Sequence, residues 1–365
     1  MKLFLIFQYF SDLYIMKLEY TYPNFVNNTS GKGLLRMVTI RFIAKEAGVS
    51  KSTVSRYLNN GQVSDDTAAK IEETIKKYNY KPNDFARNLK SNHSDFIGVI
   101  IPRFDSAATI DILEGIDDFD FGKEYQKLIV NAKQDSKKEI EAMYDFEKNK
   151  VAGIILLATE ITTDHIEAIQ KIDIPTIIVG QYDEKLYCVT HDDYQAAQDL
   201  TKHLLKHQPK KIIYIGVSER DVSVGQERKS GVIDAVKSLK SVPFKFIEST
   251  FSGDEAYELG KKVLLHENNT FVICATDNIA IGMMKAAREL GKKIPEEISL
   301  AGFGGYGIGE QVYPTLTTVD YHFYQTGTAA AKSLEKLING QQLAHKVVIE
   351  TSVLEKDSIK KTEKA

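Results

Sequence analysis

From residue 96 onward, apolar residues come in short unbroken runs separated by polar stretches of helical character. Ile97-Gly-Val-Ile-Ile, Lys127-Leu-Ile-Val, Gly153-Ile-Ile-Leu-Leu and Pro175-Thr-Ile-Ile-Val are rich in β-branched residues, and segments such as 136–148 and 163–172 follow them. Runs of this length without alternation fit strands covered on both faces, so strands and helices in turn predict a parallel sheet between helical layers. A second series follows at Lys211-Ile-Ile-Tyr-Ile, Phe244-Lys-Phe-Ile, Phe271-Val-Ile-Cys and Ile298-Ser-Leu-Ala-Gly. The break near 190–193 divides the body, 95–355, into two doubly wound lobes. A cleft between them, at the carboxyl ends of the strands, is where a small ligand binds in such an architecture.

The pattern before residue 95 has a different period. Ile40, Ile43, Ala44 and Ala47 recur at i, i+3, i+4 and i+7, and Thr39 precedes them as an N-cap. Gly48 can take the positive φ that ends this helix, and Ser50 caps the next. On a helical wheel drawn from Lys51, Ser52, Ser55 and Arg56 share one arc while Val54, Tyr57 and Leu58 share the opposite one. Short hydroxyls and a cation on one face suit phosphates and base edges, so 48–56 reads as the turn and second helix of a DNA-binding helix-turn-helix. A third helix starts at Ser64 with Asp65 and Asp66 at its positive end, and runs through Ile71 and Ile75 to Tyr78. Lys81-Pro82 then stops it. Residues 83–90 keep helical periodicity for only about two turns, a length marginal in water without a partner.

Charge sharpens this division. The chain of 365 residues has a net charge of −3, yet residues 37–91 carry ten Lys/Arg against six Asp/Glu. A small basic unit on an acidic body fits a DNA reader attached to a non-DNA domain. The two cysteines, Cys188 and Cys274, are far apart and match reduced thiols in the cytoplasm. Residues 1–36 open with an apolar, aromatic stretch too short to span a membrane and without a cleavage site. They are expected to be a non-native or disordered extension, with translation starting at Met37.

Over about fifty residues the motif Thr39-Ile40…Ala47-Gly48-Val49-Ser50…Thr53-Val54-Ser55-Arg56…Leu58-Asn59…Val63-Ser64…Thr67, then Tyr80…Pro82-Asn83…Ala86…Leu89, resembles the LacI/GalR family of bacterial repressors. The fold implied is a small all-α helix-turn-helix domain (37–82), a hinge helix and linker (83–94), a two-lobed α/β core like that of periplasmic binding proteins (95–355), and a charged tail (356–365). The resemblance implies base-edge contacts from Lys51, Ser52 and Arg56. It implies phosphate contacts from Thr39, Ser50, Thr53, Ser55, Asn59, Ser64, Thr67 and Asn83, and minor-groove contacts from Ala86 and Leu89. One departure is Phe42, where the family usually carries a polar or acidic residue.

In the body, matching positions make Arg228 the main donor to ligand oxygens and Phe251 a stacking aromatic. Arg103, Ser106, Gln181, Thr276, Asp277, Gly304 and Tyr306 are further candidates. Gly304-Gly305 stands where many members carry an Asp-Asp pair. Loss of two carboxylates beside Arg228 favours an anionic ligand; a tight turn is the competing reason for two glycines. With Ser55-Arg-Tyr-Leu-Asn-Asn-Gly and Ile97-Gly-Val-Ile-Ile-Pro-Arg, the chain looks most like the sucrose-operon repressors, for which sucrose-6-phosphate is the implied inducer. The expected partners are operator DNA, a sugar or sugar-phosphate effector and a second copy of the chain, with no membrane, cofactor or metal. A sugar kinase, suggested by Phe303-Gly-Gly-Tyr, and a secreted sugar-binding protein are the rival readings. The eight histidines, His191, His203 and His207 among them, show no metal or triad geometry in sequence.

Overall fold

The computed structural model describes residues 25–26, 36–58, 61–80, 95–122, 124–237 and 242–361. The chain divides into two compact units, 1–92 and 93–365. Most of the 1–36 extension and all of 83–94 lie outside the described residues, apart from an antiparallel pairing of Phe25–Val26 with Arg36–Met37.

The first unit holds three helices: α1 (Ile40–Glu46), α2 (Lys51–Leu58) and α3 (Asp65–Lys77). Thr39 caps α1 by accepting from the amide of Phe42 at 3.3 Å. The helix ends in a Schellman arrangement: Val49 N–H donates to the carbonyl of Ala44 at 2.9 Å and Gly48 N–H to that of Lys45 at 3.2 Å. Gly48 sits at φ +66°, the left-handed geometry this ending requires. Ser50 Oγ then accepts from Thr53 N–H at 3.1 Å and starts α2. Ile43, Ala44, Val54, Ile71, Val38 and Tyr80 close a small core. At α3 the cap differs from expectation. Ser64 makes no capping bond to the helix amides, and its hydroxyl pairs instead with Thr67 Oγ1 at 2.8 Å.

The second unit contains two parallel sheets. The first is built from β1 (Phe96–Ile101), β2 (Gln126–Asn131), β3 (Gly153–Leu157), β4 (Thr176–Val179), β5 (Tyr187–Thr190) and β11 (Lys346–Val348), in the order β11-β5-β4-β3-β1-β2. The second contains β6 (Ile212–Gly216), β7 (Phe244–Glu248), β8 (Thr270–Cys274) and β9 (Ile298–Ala301), in the order β9-β8-β6-β7. Every position of β1, β3, β6 and β8 is buried, as continuous apolar strands between helical layers must be. Intervening helices are α4 (Ala107–Asp117), α5 (Ser136–Lys148), α6 (Thr163–Ile172), α7 (Asp193–Leu205), α8 (Arg228–Lys237), α9 (Gly253–Val263) and α10 (Asp277–Glu289).

The chain passes between the lobes three times, not once. The break at 190–193 is the first passage. After β10 (Thr318–Asp320) the chain returns to the first lobe as α12 (Phe323–Ile338), which follows the short α11 (Ile308–Gln311) and packs on α4. After β11 it crosses back as β12 (Ser352–Leu354), antiparallel to β10. The expected charged tail is packed as far as it is described. Ser358 and Ile359 are buried, and Ser358 Oγ donates to the carbonyl of Leu300 at 2.6 Å.

Candidate functional site

Two constellations stand out, one in each unit. In the first, Lys51, Ser52 and Arg56 are exposed on α2, opposite buried Val54, and Thr53 and Ser55 are half-buried. Ser50 Oγ lies 2.7 Å from both Ser52 Oγ and Thr53 Oγ1. Thr39, Ser50 and Ser64 stand at the start of their helices, where amides with no intrahelical partner favour anions. Thr67 is half-buried beside Ser64. Asn59, Asn83, Ala86 and Leu89 lie outside the described residues. Phe42 gains a physical account: its ring meets the edge of Tyr78 at 4.9 Å, and the Tyr78 hydroxyl donates to Glu46 at 2.9 Å. An aromatic pair thus ties α1 to the end of α3.

In the second unit a cleft opens between the lobes. Arg103, Ser106, Gln181, Arg228, Phe251, Thr276 and Tyr306 all line it. Helix caps supply two of them: Ser106 starts α4 and accepts from Thr109 N–H, and Thr276 starts α10 and accepts from Ile279 N–H. Arg228 begins α8 directly after a π-helical segment, Val222–Glu227, and is 6% exposed. Its Nε donates to Asp193 Oδ1 at 2.6 Å and its Nη1 to the carbonyl of Ala275 at 2.8 Å. Tyr321 lies under the guanidinium at 4.4 Å and donates its hydroxyl to the same Asp193 oxygen at 2.9 Å. Asp193 matches the charge of Arg228, leaving Arg228 further N–H donors beyond those two bonds.

Two candidates do not line the cleft. Asp277 is fully buried and accepts from Thr318 Oγ1 at 2.6 Å and from Tyr306 N–H at 3.0 Å. Burial raises its carboxyl to about 6, against the hydrogen bonds from Thr318 and Tyr306 that favour the charged form. Its role in this geometry is to hold the 304–306 turn. Gly304 belongs to that turn, at φ +148°, and a Cβ there would lie 2.7 Å from the Tyr306 ring. Gly305 follows at φ +70°, where a Cβ would lie 2.8 Å from Asp320 Cα. The turn therefore accounts for both glycines without reference to ligand charge.

Several lining residues were not anticipated: His191, Asp193, Asp221, Ser223 and Phe323. The polar run His191-Asp192-Asp193, directly after a buried strand at the lobe break, was the available signal. Burial lowers the His191 imidazole to about 4, and its Nε2 lies 2.9 Å from the carbonyl of Tyr321. Burial also pushes the Asp221 carboxyl up.

The lobes touch across the cleft. Ser223 Oγ donates to the carbonyl of Gly180 at 2.7 Å, and the Arg103 guanidinium stands over the Phe251 ring at 4.8 Å. The inner part of the cleft measures about 150 Å³ and continues past Arg103 and Phe251 into an outer part of about 550 Å³.

Residues 39–83 match the family model for bacterial regulatory proteins, lacI family, and residues 201–359 match that for a periplasmic binding protein-like domain. The sucrose operon repressor of Staphylococcus xylosus is 36% identical over 314 residues, 86% of this chain and 98% of that protein. The catabolite control protein A of Staphylococcus epidermidis is 30% identical over 320 residues, 86% of this chain and 96% of that protein. The chain belongs to the lacI family of bacterial regulatory proteins. It is a DNA-binding transcriptional regulator, and the kinase and secreted-protein readings are set aside. Among solved structures, the transcription regulator CcpA of Lactococcus lactis matches with a TM-score of 0.66 at 26% identity, over 73% of this chain and 100% of that one. The lac repressor dimer bound to operator matches in fold with a TM-score of 0.76 at 22% identity, over 88% of this chain and 99% of that one. No helix among the described residues is long and apolar enough to cross a membrane.

Proposed function

We propose that this lacI-family regulator represses a carbohydrate-utilisation operon of the sucrose type and is released from its operator by a phosphorylated disaccharide. Similarity to the sucrose operon repressor supports the class of operon. The observation that carries the ligand reading is the placement of Arg103. It lines both the inner cleft and its outer extension, which also includes Lys285. The Arg103 side chain is 23% exposed, whereas Asp105, 3.8 Å away, is 83% exposed and screened by solvent. Asp254, also in the outer extension, is likewise exposed. A phosphate in the outer cleft meets Arg103 and Lys285, while the sugar rings lie between Phe251, Gln181, Ser106 and Arg228. Calorimetry with sucrose, sucrose-6-phosphate and trehalose-6-phosphate tests this. Tighter binding of neutral sucrose than of its phosphate contradicts the anionic assignment.

On the DNA side, a cytoplasmic homodimer sets two copies of α2 on successive half-sites, with Lys51, Ser52 and Arg56 towards base edges. The segment 83–90 forms a helix only against its partner copy and DNA, and Leu89 wedges a base step. Effector binding rearranges the lobes and uncouples the paired hinge segments, so operator affinity falls. Footprinting with and without the sugar phosphate reads this directly, and undiminished protection in its presence refutes induction.

A further inference from the structure

Outside the cleft and the DNA-binding module, His203, His207 and Glu355 converge at the far end of α7. His203 lies in the last turn of that helix and His207 one turn further on, their rings 5.8 Å apart. Glu355 arrives from a different part of the chain, directly after β12. Its Oε2 contacts His203 Nε2 and lies 3.7 Å from His207 Nε2. The ligand atoms of all three residues fall within 4.8 Å of one another. In a tetrahedral zinc site with bonds near 2.0–2.1 Å, ligand atoms are separated by roughly 3.3 Å. Adjustments of at most about 1.5 Å bring the triad to that spacing.

We propose that His203, His207 and Glu355 bind a divalent transition-metal ion of the zinc type, with water completing the coordination. Two imidazoles and one carboxylate are a borderline donor set that suits Zn²⁺ and Co²⁺ and disfavours Mg²⁺ or Ca²⁺, which take oxygen ligands. The ion displaces the proton shared between His203 and Glu355. Lys361 holds the other carboxylate oxygen, Oε1, at 3.1 Å and so orients Oε2 towards the imidazoles. The site also lies at the C-terminal end of a helix, where the partial negative charge of the last carbonyls favours a cation. Side-chain exposures of 25% for His203, 14% for His207 and 28% for Glu355 leave a path for the ion. The bound ion joins α7, whose first residue is Asp193, to the segment following the third passage between lobes. Its effect is therefore expected on the stability of the second lobe.

The test uses the full-length, tag-free protein after chelator treatment, titrated with Zn²⁺ by calorimetry and with Co²⁺ by visible absorption. The expected result is one ion per chain, a tetrahedral Co²⁺ spectrum and a thermal midpoint that rises with Zn²⁺ concentration. His207→Gln and Glu355→Gln, which keep the side-chain volume, each lower the affinity by more than about tenfold. Circular dichroism and binding to an unrelated-sequence duplex confirm that these variants are folded. Absence of stoichiometric binding, or equal binding by wild type and both variants, overturns the site and leaves a hydrogen-bonded triad.

Discussion

Arg228 and Asp193 form a buried ion pair across 35 positions of sequence, with Nε donating to Oδ1 at 2.6 Å. Neither residue is stable in that environment without the other. Asp193→Ala leaves a guanidinium uncompensated and is expected to cost about 3–5 kcal/mol of unfolding free energy. Pairing Asp193→Leu with Arg228→Met restores most of that stability, because packed apolar groups replace a pair whose desolvation was already costly. Effector binding is not restored, since the donors of Arg228 are gone. Urea denaturation and calorimetry on the single and double variants check both halves. A loss below about 1 kcal/mol in Asp193→Ala would place the pair in a far more polar environment than its burial indicates.

The Gly304-Gly305 turn gives a second test, confined to one face of the cleft. Gly304→Ala places a Cβ against the Tyr306 ring at a position whose φ of +148° already disfavours a side chain. The strain is expected to cost about 1–3 kcal/mol and to push Tyr306 from its place in the cleft lining. Effector affinity falls as a result. Gly307→Ala, three residues on, meets nothing within 4 Å and has a φ of −53°, so it serves as a neutral control. Equal behaviour of the two variants in thermal unfolding and calorimetry contradicts the steric reading.

How much of this was legible follows from the range of the interactions involved. The three-helix module could be read because its signals are local: the Ala44–Gly48 ending, the Ser50 cap and the Val54 face all act within one or two turns. Six of the eight strands read from the sequence, β1, β3, β4, β6, β8 and β9, are buried along their whole length, and burial on both faces imposes continuous apolar runs. β2 and β7 are half-exposed edge strands whose apolar and aromatic residues still marked them. β5, β10, β11 and β12 could not be read, since three or four residues of mixed character carry no period. Their pairing, like the return of α12 to the first lobe, depends on packing against distant segments. The cleft divides in the same way. Arg228 and Phe251 are recognisable through family resemblance, but Asp193, which fixes Arg228, becomes visible only when the lobes are folded. His203 and His207 have helical spacing in the sequence, yet the carboxylate between them comes from 152 residues away.

Arg56 offers the clearest test of the DNA-reading face. Its guanidinium is exposed on α2, while its carbonyl accepts from Gly61 N–H at 2.8 Å and secures the loop that follows. Arg56→Ala removes the cation and leaves that backbone bond in place. A bidentate contact to a base predicts a loss of about 1–3 kcal/mol on operator DNA and much less on random sequence. Fluorescence anisotropy on both duplexes, at two salt concentrations, separates this from a phosphate contact. The latter weakens both equally and lowers the salt slope.

His191 and Asp277 predict a pH response that only their variants expose. Burial lowers the His191 imidazole from 6.5 to about 4, opposed by the nearby Asp193 carboxylate. The folded state therefore resists protonation more than the unfolded chain does. The contribution of His191 to stability is complete above pH 6.5 and is lost as pH falls towards 4. Asp277 works the other way: burial raises its carboxyl from 3.8 to about 6. Its contribution is complete below pH 3.8 and is lost as pH rises through 6. Each shift corresponds to about 3 kcal/mol across nearly the same window, so in the wild type the two largely offset. His191→Gln keeps a donor for the Tyr321 carbonyl but abolishes the titration. Relative to wild type, this variant should gain about 2–3 kcal/mol on moving from pH 7 to pH 4.5, and Asp277→Asn should lose a comparable amount. Urea unfolding at the two pH values measures both differences. Parallel pH profiles for wild type and His191→Gln would mean that His191 stays solvated and titrates as in the unfolded chain.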